Sequence, residues 1–174
     1  MKNFLTLAGL LIVALTTMVS YAAEKASEKR LDEVVERGSH VMPFDLEQTT
    51  HVFSKTAQGG LQQVVVKNSK NAAQIQLIRQ HLAKISAEFK KGDFSNPEKI
   101  HGKEMPGLAV LRHTKSEDFK VDYQTLPNGA QINYSSKQAS VIAAIHQFFD
   151  AQLSDHARHA VSGHEGHANH SMHQ

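Results

Sequence analysis

The chain carries twelve histidines, five methionines and no cysteine, so imidazole, thioether and carboxylate are the side chains available to bind a metal. Half of the histidines lie at positions 156, 159, 164, 167, 170 and 173. A purification tag is ordinarily an unbroken run of histidine, whereas Gly, Ala, Ser, Glu and Asn separate these rings. His164, His167, His170 and His173 recur every third residue, which lets several neutral imidazoles reach one ion without a preformed fold. Imidazole suits Zn(II), Cu(II) and Ni(II), and the thioether of Met172 in "HSMH" suits Cu(I). The plain alternative is a solvated tail without a role.

Upstream, the spacing puts His156 and His159 on the helical side that also holds Ile145, Phe149 and Gln152, where another aliphatic residue would be expected. His146 and Asp150 stand one turn apart on the adjoining flank, as joint ligands or with the carboxylate orienting the ring. Histidines at a helix end also interact favourably with its C-terminal dipole, with no metal involved. Histidine meets methionine twice more, as His40 and Met42 in "SHVMPF" ahead of His51, and as His101 and Met105 in "IHGKEMPG". Soft sulfur beside imidazole is what a handler of Cu(I) or Cu(II) needs where thiolate is lacking, although a lone methionine is more often core. His81 and His113 have no partner pattern and read as surface or structural. Asp45, Glu47, Asp118 and Asp122 read as solvated loop carboxylates.

Other classes find little support. There is no GxSxG, no glycine-rich phosphate loop and no HExxH. With a formal charge of +2 and intermixed signs, no basic stripe is available to nucleic acid.

Positioning these side chains falls to two similar units. Thr50–Thr56 and Leu61–Lys67 read as strands around the turn "AQGG", with Gly59 and Gly60 supplying positive φ. Ile75, Ile78, Leu82, Ile85 and Phe89 then form one stripe of an amphipathic helix between an Asn71 cap and a Gly92 stop. Residues 92–118, broken by Pro97, Gly102, Pro106 and Gly107, read as a long connection with a short helix over Leu108–His113. Phe119, Val121 and Tyr123, the turn "PNG", and Ala130, Ile132 and Tyr134 make a second hairpin. A second amphipathic helix follows, with Ile142, Ile145, Phe149 and Leu153 on its buried side. The expected fold is α+β: two ββα units, a faint repeat offset by 67 positions, giving a four-stranded antiparallel sheet with both long helices on one face.

At the start, Lys2, the apolar run Leu5–Val19 and Ser20-Tyr21-Ala22 have the form of a secretory signal peptide cleaved after Ala22. The expected plan is a signal peptide over 1–22, a charged leader over 23–39, one domain over 40–160 and a flexible histidine-rich tail over 161–174. After cleavage no membrane association is expected.

Three segments in order, "VMPFDLEQTTHVF", "GDFSNPEKIHGKEMPGL" and "AIHQFFDAQLSDHARHA", resemble a family of small exported bacterial proteins commonly labelled aspartate carbamoyltransferase. The resemblance covers nearly the whole mature chain. It implies recurring histidines and a methionine at His51, His101, Met105, His146, His156 and His159. The label does not carry over, because carbamoyltransferases are far longer and hold a Ser-Thr-Arg-Thr loop and a His-Pro-x-Gln segment that this sequence lacks. The expectation is a periplasmic metal-binding protein for copper, with zinc or nickel as alternatives, that buffers, transports or detoxifies the ion alone or with another periplasmic metal-handling protein. His101, Met105, His146, His156 and His159, with His51 and Asp150 beside them, would be the ordered site, and His164, His167, His170 and His173 the collector. The alternative is a metal- or haem-dependent periplasmic enzyme or cofactor-binding module.

Overall fold

The structure, a computed structural model, describes residues 26–163. The signal-peptide expectation and the four tail histidines lie outside the described residues.

Five strands form one mixed sheet in the order β3-β4-β2-β1-β5: β1 Thr49–Thr56, β2 Gly59–Val66, β3 Lys120–Leu126, β4 Gly129–Ser135 and β5 Ala160–Ser162. The first four are antiparallel neighbours, as expected from the alternation of their side chains. The sheet is not purely antiparallel, however. β5 joins its edge parallel to β1, with His51 opposite Ala160. Three residues carry no readable alternation, and the strand exists because the backbone leaving the last helix returns along β1. The His51 N–H donates to the His159 carbonyl at 2.8 Å and the Gly163 N–H to that of Phe53 at 2.9 Å. The chain is therefore engaged up to Gly163, past the expected tail boundary.

One face of the sheet is buried, through Thr49, His51 and Phe53 on β1, Val64 and Val66 on β2, and Ala130, Ile132 and Tyr134 on β4. Helix α2 (Ala72–Phe89) covers β2, β3 and β4, and α5 (Ala139–Asp155) covers β1, β2 and β5. The α2 stripe Ile75, Ile78, Leu82, Ile85 and Phe89 is buried as its spacing requires, and the Asn71 side chain caps the helix by accepting from the Gln74 N–H. On α5 the buried stripe is Val141, Ala144, Ile145, Phe148, Phe149 and Gln152; Ile142 and Leu153 lie at its margin rather than within it. The chain leaves α5 at Asp155, so His156 caps the helix instead of extending its face.

The glycine at the first turn acts differently from the expectation. The two-residue loop is Ala57-Gln58, with Thr56 paired to Gly59. Only Gly59 has positive φ, at 148°, while Gly60 admits Phe149, whose Cε2 would stand 2.4 Å from a Cβ there.

Three shorter helices complete the fold: α1 Glu28–Ser39 against α3 and α5, α3 Ser95–His101, and α4 Leu108–His113 against α5. The segment expected as a charged leader is mostly α1, capped by the Ser27 hydroxyl, with Leu31 and Val34 fully buried. The span 92–118 carries α4 where expected and α3 where a connection was read.

Candidate functional site

Where the segment after α1, the helices α2 and α3, the end of α5 and β1 meet, a partly open cavity of about 50 Å³ lies beneath the sheet. Its walls are mainly apolar, with Met42, Phe44, Leu82 and Phe148 among them, and four imidazoles enter it from four elements. β1 supplies His51, α2 supplies His81, α3 ends on His101, and α5 is capped by His156. Gln62, Asn96 and Gln152 add amide groups. By size the cavity holds a small ion with its ligands or a few waters, and a porphyrin does not fit it.

His51, His101 and His156 form the core of this arrangement. The rings of His51 and His156 stack nearly parallel, 5.5 Å between centroids and 7° between planes. His101 meets His156 edge-on at 4.9 Å and 86°. His81 sits further out, edge-on to Phe44 at 5.5 Å.

His101 is held by charge. Its Nδ1 is 2.7 Å from Asp155 Oδ2, and Arg30 grips the same carboxylate, with Nε to Oδ1 at 3.1 Å and Nη2 to Oδ2 at 2.5 Å. Arg30 Nη2 also donates to the His101 carbonyl at 2.8 Å, satisfying an orphan acceptor at the end of α3. Burial would by itself raise the Asp155 carboxyl, but its hydrogen bonds to His101 and Arg30 hold it well below the usual carboxylate range. Burial lowers His101 against the pull of Asp155. The ring is thus a neutral imidazole that donates Nδ1–H to a carboxylate and keeps its Nε2 lone pair, the arrangement that orients metal-bound histidines and general bases.

The other rings are neutral by desolvation. Burial pushes His51 down to about 4, helped by His81 and His159, and pushes His81 to about 4, helped by Lys84. Burial, with His101 and His51 nearby, places His156 well below an ordinary histidine. His51, His156 and His159 each bury an Nδ1 without a hydrogen-bond partner. Such an orphan costs about 1–3 kcal/mol. Stacked rings keep their lone pairs in parallel planes and do not aim them at a shared point between them. Among the described residues no group of three or more His, Asp or Glu side chains is placed to hold one metal ion as the rings stand.

The remaining expected residues divide. His159 follows the cap at the edge of β5, buried, with Nε2 2.7 Å from the exposed Glu47 carboxylate. Met105, also buried, borders a surface groove on the other side of His101. His146 has a structural engagement, since its Nε2 lies 3.0 Å from the Thr56 carbonyl and 2.9 Å from that of Gly59, closing the first hairpin onto α5. Asp150 does not orient it; its Oδ1 pairs with Lys55 Nζ at 2.5 Å.

Three participants, Asp155, Arg30 and His81, are not picked out by the sequence. Asp155 stands directly before His156 in "SDH", and that adjacency was its available signal. Arg30 was hidden in a segment read as a leader, and His81 in an amphipathic pattern that explained its neighbours without it. Met42 was noticed beside His40, but the two separate: Met42 is buried on the cavity wall and His40 caps α1 at the surface.

Comparison with protein-family models, with curated proteins and with solved structures returns no match.

Proposed function

We propose that this chain is a periplasmic copper-binding protein that buffers, carries or detoxifies the ion, taking Cu(I) into the cavity on His51, His101 and His156 with the Met42 thioether beside them. The observation that carries the reading is the set of three buried, neutral imidazoles on one small cavity, one of them oriented by a carboxylate. The cost of burying an ion rises with the square of its charge, so an apolar cavity with neutral nitrogen and sulfur donors favours Cu(I) over Zn(II) or Ni(II). The nearby carboxylate, Asp155, is already neutralised by Arg30. The C-termini of α3 and α5, at His101 and Asp155, add partial negative charge where the cation would sit.

Loading requires His51 and His156 to leave their stack by side-chain rotation. That step frees no existing ring hydrogen bond of their Nδ1 atoms, which have none. His146 and Asp150 drop out of the proposed ligand set because the first hairpin employs them. His159 and Met105 flank it, and His164, His167, His170 and His173 keep the collector role. Donor and acceptor of the ion would be other periplasmic metal-handling proteins. The cavity size speaks against the haem alternative.

Competition against a colorimetric Cu(I) chelator at pH 7 tests the reading on the full-length mature chain. One equivalent should bind tightly, and His101→Asn or His156→Asn should each weaken it on the order of 100-fold, or about 2.7 kcal/mol. Unchanged affinity in both variants, with folding intact by circular dichroism, would remove the cavity from the function.

A further inference from the structure

His101 is a wall shared by two spaces. On one side is the small cavity with His51 and His156. On the other is an open groove of about 540 Å³, bordered by Glu104, Met105, Asp150 and Asp155 together with Arg30. Arg30 and Lys55 pair with Asp155 and Asp150 respectively, so the paired charges cancel and Glu104 leaves the groove acidic.

Met105 belongs to a segment bounded by two glycines of positive φ, Gly102 at 92° and Gly107 at 78°. The two ends differ. A Cβ at Gly107 would stand 2.1 Å from the Ala144 carbonyl oxygen, so that end is clamped against α5. A Cβ at Gly102 would meet nothing within 4 Å, so the end next to His101 has no such clamp and is held by the Gly102 N–H donating to the Glu98 carbonyl. The segment is therefore anchored at α5 and more openly packed beside His101, with a soft sulfur between them.

We infer that Met105 and His101 form a port through which Cu(I) passes between the groove and the cavity. This rests on the copper reading above and adds the route and the roles: Met105 is a transient ligand on the groove side, and His101 carries the ion inward. The step is ligand exchange. A sulfur–copper bond forms at Met105 as the donor's bond breaks, and a nitrogen–copper bond at His101 Nε2 then replaces it. The copper remains Cu(I), and no proton is transferred because thioether has none and the Nε2 lone pair is free.

The port predicts a kinetic role for Met105 without an equilibrium one. Stopped-flow transfer of Cu(I) from bicinchoninate to the full-length mature chain is compared for the parent, Met105→Leu and Met42→Leu, together with the competition affinity of each. Leucine conserves volume at both sites. Met105→Leu should slow transfer roughly tenfold while affinity stays within about twofold, whereas Met42→Leu should lose affinity. Methyl NMR of ¹³C-methionine in the parent supplies a second readout, with the Met105 signal broadened by exchange below one equivalent of Cu(I). An unchanged transfer rate in Met105→Leu, in a parent that binds Cu(I) tightly, overturns the port and leaves the cavity site standing. Equal losses of rate and affinity would make Met105 a resident ligand and also overturn it. If the parent takes up no Cu(I) from the chelator, the cavity reading itself fails and the port falls with it.

Discussion

At the residue scale, Asp155 makes His101 chemically distinct from the other buried histidines. His51 and His156 are neutral because they are buried; His101 is neutral and also fixed in tautomer, since Asp155 accepts from its Nδ1. Asp155→Asn keeps the shape but can present an amide N–H to the ring, inviting the tautomer with its proton on Nε2 and the lone pair turned away from the cavity. Cu(I) affinity in that variant should fall roughly 10–100-fold, the usual effect of losing a carboxylate that orients a ligating histidine. Glu47→Gln, at the exposed partner of His159, should leave it unchanged. A competition titration of the two variants decides whether the carboxylate matters at His101 or anywhere near a histidine. Met42 fills its place through a small neighbour: a Cβ on Gly38 would come within 2.6 Å of the Met42 methyl.

At the scale of elements, the two glycines flanking Met105 permit a contrast between backbone strain and steric clash. Both have positive φ, so alanine at either costs about 1 kcal/mol of conformational strain. Gly107→Ala adds a collision with α5 backbone at Ala144, which cannot rotate away, and should lose roughly 3 kcal/mol or more in urea denaturation. Gly102→Ala should lose only the first amount. Equal losses would mean that the anchor at α5 is loose. The same elements show what was legible beforehand. Hairpins, α2, α4 and, on α5, the buried positions Ile145 and Phe149 follow from alternation and helical spacing, which are local. α3 was missed because Pro97 reads as a breaker, yet it falls in the first turn, where its missing N–H would have had no partner in the helix. α1 reads as a leader that could form a short helix because its charged face dominates the composition, while two buried residues, Leu31 and Val34, fix it to the core. β5 follows from tertiary pairing alone. For the candidate site, residue type and spacing point to His101 and His156, and the family resemblance to His51. Asp155, Arg30 and His81 depend on which elements meet in space, and that is not written in any one segment.

At the scale of the whole molecule, a core that encloses several histidines should be sensitive to acid. His51 and His81 titrate near 6.5 when unfolded and near 4 when folded. Between those values the unfolded chain binds more protons, so stability falls as pH drops from about 6.5 to about 4 and is constant, for these groups, outside that window. His51 alone accounts for a loss on the order of 3 kcal/mol, and His101 and His156 shift in the same direction. Asp155, lowered in the fold, acts in the same sense: its stabilisation is present above about 4 and is lost as pH falls further. Urea midpoints of the apo-protein from pH 7.5 to 4 should decline through that window, and a flat profile would mean that water reaches the imidazoles. Bound Cu(I) should raise the midpoints at each pH by holding the rings neutral. The most direct test of the central claim is ¹⁵N-histidine NMR of the full chain as the first equivalent of Cu(I) is added. The ring nitrogens of His51, His101 and His156 are predicted to shift together in that equivalent, ahead of His164, His167, His170 and His173. If the first equivalent moves the tail resonances and leaves those three unchanged, the cavity is not the copper site.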